Sequence, residues 1–215
     1  MCLIVAHKPG AKAMPLVELQ RAWNTNHDGA GYMYINKGKL KIRKPFFRLK
    51  DLIAAYYEDH ERFGTHNPFV LHLRYATHGK CDIENTHPHA VADKHVGVAH
   101  NGILWAPKDQ SDTVFFCKTV LAERTAHQLL TAQFRLFLEE VVGVGNKLVL
   151  LSRTGQLSII NEDQGEWIDN TWYSNVSFQH TNDRYNALMS WWLDNEERFP
   201  IAKRKDWCED HEDLP

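Results

Sequence analysis

The chain has 215 residues, 43% of them hydrophobic, and a formal charge of −2 from 25 Lys and Arg against 27 Asp and Glu. That length and apolar share suit one compact domain with a substantial core and room for a terminal extension. Basic residues are scattered rather than bunched, so the footprint of a nucleic-acid binder is absent, and no run approaches the roughly 18 apolar residues of a membrane-spanning helix.

In chain order, Leu3 to Ala6 reads as a short buried strand, too short to be the apolar region of a signal peptide. Leu16 to Trp23 reads as a helix with Pro15 at its start, where a missing N–H costs little. A turn-rich segment, Asn24 to Gly31, feeds the strand Tyr32 to Ile35, and Asn36-Lys-Gly38 closes a hairpin onto Lys39 to Arg43. A helix is expected from Leu49 to about Phe63, and a strong strand from Pro68 to Ala76 ends in the polar stretch Thr77-His-Gly-Lys.

Another strand, His95 to His100, runs into Asn101-Gly102. Ser111-Asp-Thr then opens an apolar-periodic helix through Leu121, and Thr125 to Val142 reads as a second helix. Lys147 to Ser152 and Gln156 to Ile160 form a hairpin around Arg153-Thr-Gly155, and Trp172-Tyr-Ser-Asn reads as a last short strand. Antiparallel hairpins with separate blocks of helix, without regular strand and helix alternation, point to an α+β layered sandwich.

Four cysteines, Cys2, Cys81, Cys117 and Cys208, lie far apart with no C-x-x-C pair. This fits neither a disulfide framework nor a zinc ribbon and points to a reducing, cytoplasmic setting. Cys2 allows two readings: a small apolar residue opening a buried strand, or a nucleophile freed at the chain terminus once Met1 is removed. The second is chemically sufficient, because a terminal α-amine with an ordinary pKa of about 7.7–8.0 can serve as the base for its own thiol. Thirteen histidines include His87-Pro-His89, but a lone H-x-H lacks the spacing that specifies zinc, so no metal is expected.

Four segments accompany Cys2: Asn26-His-Asp-Gly-Ala-Gly31, His72-Leu-Arg-Tyr-Ala-Thr-His-Gly79, Asn85-Thr-His-Pro88 and His100-Asn-Gly-Ile103. With Ser111-Asp-Thr113, their identity and order resemble the class II glutamine amidotransferases, whose glutaminase domain is an N-terminal nucleophile hydrolase. The resemblance implies a four-layer αββα sandwich of antiparallel sheets, a glutaminase domain over residues 2–180, and a helical or tail extension over 181–215. It also implies that Met1 is removed and that Cys2 attacks the side-chain amide of L-glutamine, with no cofactor.

By the same resemblance, Asn101 and Gly102 form the oxyanion hole, although Asn-Gly alone reads as a tight turn. Arg74 receives the α-carboxylate of glutamine and Asp112 its α-ammonium, where local reading would give a surface ion pair and a helix cap. Thr77 and His87 line the pocket. Asn26, Asp28, Gly29 and His78 brace it from behind.

Family members join this domain to a synthase that consumes the ammonia. Only about 40 residues follow Trp172-Tyr-Ser-Asn, so the expected acceptor is a synthase on a separate chain, or the ammonia is released. Two other readings stand beside this one: an amide hydrolase with a different substrate, and a non-catalytic binding subunit that docks through Trp191, Trp192 and Trp207.

Overall fold

The computed structural model describes residues 2–76, 82–108 and 110–180. The described residues form ten strands, β1 (Leu3–His7), β2 (Ala30–Asn36), β3 (Lys39–Phe46), β4 (Phe69–Leu73), β5 (His89–Val91), β6 (Val96–Asn101), β7 (Lys147–Ser152), β8 (Leu157–Ile160), β9 (Glu166–Ile168) and β10 (Thr171–Tyr173). They also form five α-helices, α1 (Leu16–Thr25), α2 (Leu49–Phe63), α3 (Asp112–Phe116), α4 (Ala126–Leu129) and α5 (Ala132–Val142). One sheet runs β3-β2-β4-β1-β10-β9 and the other β5-β6-β7-β8, and each of these pairings is antiparallel.

Successive side chains of a strand point to opposite faces, and here both faces of the central strands are covered. Leu3 and Val5 of β1 enter a core with Leu19 and Trp23 of α1 and Leu52 and Tyr56 of α2. Ile4 and Ala6, from the same strand, enter a second core between the sheets with Val149 and Leu151 of β7. The alternate residues of β7, Leu148 and Leu150, join a third core with Phe116, Phe134 and Leu138 from the helices. Three cores separate four layers, in the order helix, sheet, sheet, helix.

Close approach of the sheets explains one glycine. A Cβ added to Gly97 of β6 would run into Met33 Sδ of β2 across the interface. The outermost strand β3 is different: its exposed positions are Lys39, Lys41 and Arg43, charges that discourage pairing with another chain at an open edge.

Two helical expectations are corrected. The segment Thr125 to Val142 is two helices, because Thr125 and Gln128 form a capping box over the short α4, while Thr131 starts α5 by accepting from Phe134 N–H at 3.2 Å. Leu130 between them leaves helical geometry, and its carbonyl accepts from Gln156 Nε2 at 3.1 Å. The helix through Leu121 likewise stops being α-helical at Phe116 and continues as a π-helical turn over Cys117–Leu121. No described helix is long and apolar enough to cross a membrane. The expected extension over 181–215, with its tryptophans, lies outside the described residues.

Candidate active site

The register of the first sheet brings Cys2 to its place. Leu3 pairs with Leu73, so the residue before β1 stands beside the residues after β4. Cys2 Sγ lies 3.4 Å from both the backbone N and the carbonyl O of Tyr75, and the carbonyl of Cys2 accepts from Asn175 Nδ2 at 2.9 Å. Ser174, just past β10, accepts Ile4 N–H at 2.9 Å on its Oγ and donates its own N–H to the Ile4 carbonyl at 2.9 Å. The head of β1 is therefore held on both sides.

The second sheet reaches the same place through β6. Asn101 ends that strand fully buried, and its Nδ2 donates to Ser174 Oγ at 2.9 Å. One hydroxyl thus ties Asn101 to the backbone two residues from Cys2. Gly102 follows with φ +147°, and a Cβ there would run into Asn146 Oδ1 and stand 2.9 Å from its Cα. Only glycine fits that turn without strain.

Arg74 is buried at the end of β4. Its N–H donates to the Gly29 carbonyl at 2.8 Å and its carbonyl accepts from Asp28 N–H at 3.0 Å. The Asp28 carboxylate accepts from Ala76 N–H at 2.8 Å. Gly29, at φ +131°, leaves no room for a Cβ against Thr86 Oγ1 at 2.9 Å. Asn26 caps the end of α1, donating from Nδ2 to the Ala22 carbonyl at 3.0 Å. Asp112 is the first residue of α3, and the cap is Ser111 instead. The Asp112 carboxylate accepts from Leu104 N–H at 2.9 Å and from Thr113 N–H at 2.6 Å.

These groups share one electrostatic field. Burial pushes the Cys2 thiol up, opposed by the Tyr75 backbone and the Arg74 cation, with Asp112 adding to the rise. Burial pulls the Arg74 guanidinium down, and Cys2, Asp28, Asp82 and Asp112 resist that. A cation and a carboxylate thus both act on the one thiol at the head of β1.

His72, His87, His89 and His100 form a connected group. His72 and His87 have ring centroids 4.2 Å apart, and His87 and His89 4.7 Å. His87 Nδ1 accepts from His100 N–H at 3.2 Å, and His72 Nε2 lies 2.9 Å from the His100 carbonyl. His100 meets Thr113 Oγ1 at 2.8 Å and Asn146 Oδ1 at 3.0 Å. Burial lowers the pKa of all four, so these imidazoles are neutral near pH 7. The group therefore fixes β6 through hydrogen bonds without adding charge. Among the described residues, no three His, Cys, Asp or Glu side chains converge to hold a metal ion.

Of the residues expected at the site, Cys2, Asn101, Gly102, Arg74, His87, Asp112, Asn26, Asp28 and Gly29 are described, whereas Thr77 and His78 lie outside the described residues. Sequence reasoning missed Ser174 and Asn146. The signal for Ser174 is Trp172-Tyr-Ser-Asn, which reads as a strand end until β1 is laid beside it.

No protein-family model matches the chain. Over 106 residues it is 35% identical to the glutamine–fructose-6-phosphate aminotransferase [isomerizing] of Aquifex aeolicus, an alignment covering 48% of this chain and 17% of the relative. The protein of the same name from Listeria innocua is 34% identical over 106 residues, with the same coverage. Over that half of its length, the chain is similar to these aminotransferases, which are class II glutamine amidotransferases. A further such amidotransferase relative, the aminotransferase of Shewanella oneidensis, is 26% identical over 160 residues, covering 67% of this chain and 26% of its own length. The chain therefore spans 17% to 26% of the length of these relatives. Among solved structures, the glutamine phosphoribosylpyrophosphate amidotransferase from B. subtilis overlaps with a TM-score of 0.48 and 15% identity, covering 80% of this chain and 41% of that one.

Proposed function

We propose that the chain hydrolyses the side-chain amide of L-glutamine, releasing glutamate and ammonia. The observation that carries this reading is the place of Cys2 at the head of β1, its Sγ 3.4 Å from the backbone of Tyr75 next to the buried Arg74, with Asn101 tied through Ser174 Oγ to the Ile4 backbone. Free glutamine presents the complementary pair, an α-carboxylate and an α-ammonium, beyond its reacting amide. The likeness to glutamine-dependent aminotransferases supports the same substrate.

In this mechanism Met1 is removed and the freed α-amine of Cys2 takes the thiol proton. Sγ attacks the amide carbon, and the oxyanion is met by Asn101 Nδ2 and Gly102 N–H. Asn101 has a hydrogen left for that purpose, since its amide carries two and the bond to Ser174 uses one. The proton passes to the leaving nitrogen, ammonia departs, and a γ-glutamyl thioester remains. Water then adds to the thioester while the amine accepts its proton, and glutamate leaves as the thiol is restored. No cofactor takes part.

Arg74 holds the α-carboxylate, Asp112 the α-ammonium, and Thr77 and His87 line the pocket. Asn26, Asp28, Gly29 and His78 brace it. The ammonia passes to a synthase on a separate chain or is released, in the cytoplasm. Cys2→Ala is expected to cut glutamate release by at least about 10³-fold with an unchanged circular-dichroism spectrum. Turnover at the parent rate in that variant, or full activity in protein whose intact mass retains Met1, would overturn the mechanism. N-acetylglutamine is expected to be a poor substrate because it offers Asp112 no ammonium; equal rates would point to a different amide.

A further inference from the structure

β3, β5 and α3 with its π-helical continuation line an open cleft of about 350 Å³, within the roughly 300–1,000 Å³ range of small-molecule sites. Ile42, Val114 and Cys117 give it apolar walls, and Lys44, His89 and Lys118 supply its polar groups. Lys118 is exposed at the rim, whereas Lys44 is half-buried. Among the described residues the hydrogen-bond partner of the Lys44 ammonium is the Thr86 carbonyl, and Nε2 of His89 is buried with no partner. An ammonium has three hydrogens to donate, so Lys44 retains donor capacity toward the cleft.

We propose that this cleft binds a small carboxylate with a short aliphatic body, its head on the Lys44 ammonium and its chain against Ile42, Val114 and Cys117. A half-buried cation whose hydrogen-bond partner is neutral gains when an anion joins it. Burial already holds the Lys44 amine down to about 8, against the pull of Cys117 and Asp82, and a bound carboxylate would restore the charge. Phosphate fits less well. It favours several converging donors or an arginine fork, and the cleft is lined by two lysines and no arginine among the described residues. This site does not rest on the proposed glutaminase reaction.

The test uses the full chain and hexanoate, with hexanol and inorganic phosphate as comparisons, in titration calorimetry. One saturable hexanoate site is expected, with at least about tenfold weaker binding in Lys44→Met, where the charged partner is lost, and none in Val114→Trp, which fills the cleft. Hexanol and phosphate should each bind at least about tenfold more weakly, since each lacks one of the two features recognised. A second readout needs no variant: an amine acylating reagent at pH 8 should modify Lys44, and hexanoate but not hexanol should protect it. Absence of saturable hexanoate binding, an affinity unchanged in Lys44→Met, or phosphate binding as tightly as hexanoate would overturn the proposal.

Discussion

At the scale of single residues, two glycines separate backbone conformation from close packing. Gly38 sits at φ +67° in the β2–β3 turn with nothing within 4 Å of the place a Cβ would take, whereas Gly102 has φ +147° and Asn146 directly against that position. Gly38→Ala should therefore cost about 1–2 kcal/mol, the penalty of a left-handed L-residue alone. Gly102→Ala should cost about 3 kcal/mol or more, because Asn146 must also be displaced, and Asn146 holds His100. Urea denaturation of both variants checks this, and equal losses would mean that the Asn146 contact relaxes freely. The resemblance of the sequence motifs singles out Cys2, Arg74, Asn101, Gly102 and Asp112 as the proposed set, each with a residue type suited to one part of the proposed chemistry. They do not reveal Asn146 or Ser174, whose side chains acquire partners only after strands distant in the chain have paired.

Among elements, Ser174 acts as a clip. Its Oγ accepts from Ile4 N–H in the first sheet and from the Asn101 amide in the second, each at 2.9 Å, and the residue is buried. Ser174→Ala leaves two buried donors unpaired, at an expected cost of about 2–3 kcal/mol. It also frees the head of β1 and the end of β6 to drift apart. If the proposed reaction is right, kcat for glutamine should fall while KM changes little, because Arg74 and Asp112 are untouched; steady-state kinetics beside a urea melt would separate the two effects. Element boundaries show why some of the fold is not legible in the sequence. The long central strands follow from their apolar runs, but β5 and β9 have three residues each, too few for periodicity to register. The break between α4 and α5 depends on Thr131 capping a second helix, a choice that the apolar pattern running through both helices conceals.

Across the whole molecule, four layers mean that polar residues of the central strands are buried with the apolar ones, and three of these are histidines, His7, His72 and His100. The apolar runs of β1, β4 and β7 reveal sheets covered on both faces, yet nothing in the pattern tells which histidines will be enclosed. His7, buried in β1, meets Tyr56 OH at 2.8 Å and Thr171 Oγ1 at 3.0 Å, and burial lowers its pKa to about 3, as it does for His72 and His89. The unfolded chain titrates these groups near 6.5, so between about pH 6.5 and 3 it binds protons that the folded chain refuses. Their contribution to stability is complete above pH 6.5 and is lost as pH falls through that window, at up to about 1.4 kcal/mol per pH unit for each histidine. The urea midpoint should thus fall continuously from pH 6.5 to 4.5. His7→Gln keeps a side chain able to bond Tyr56 and Thr171 but removes one titrating group. It should reduce the slope of stability against pH by about one proton's worth, whatever it does to stability at pH 7.5. An unchanged slope would mean that His7 carries the same proton in both states, which its enclosure between Tyr56 and Thr171 argues against.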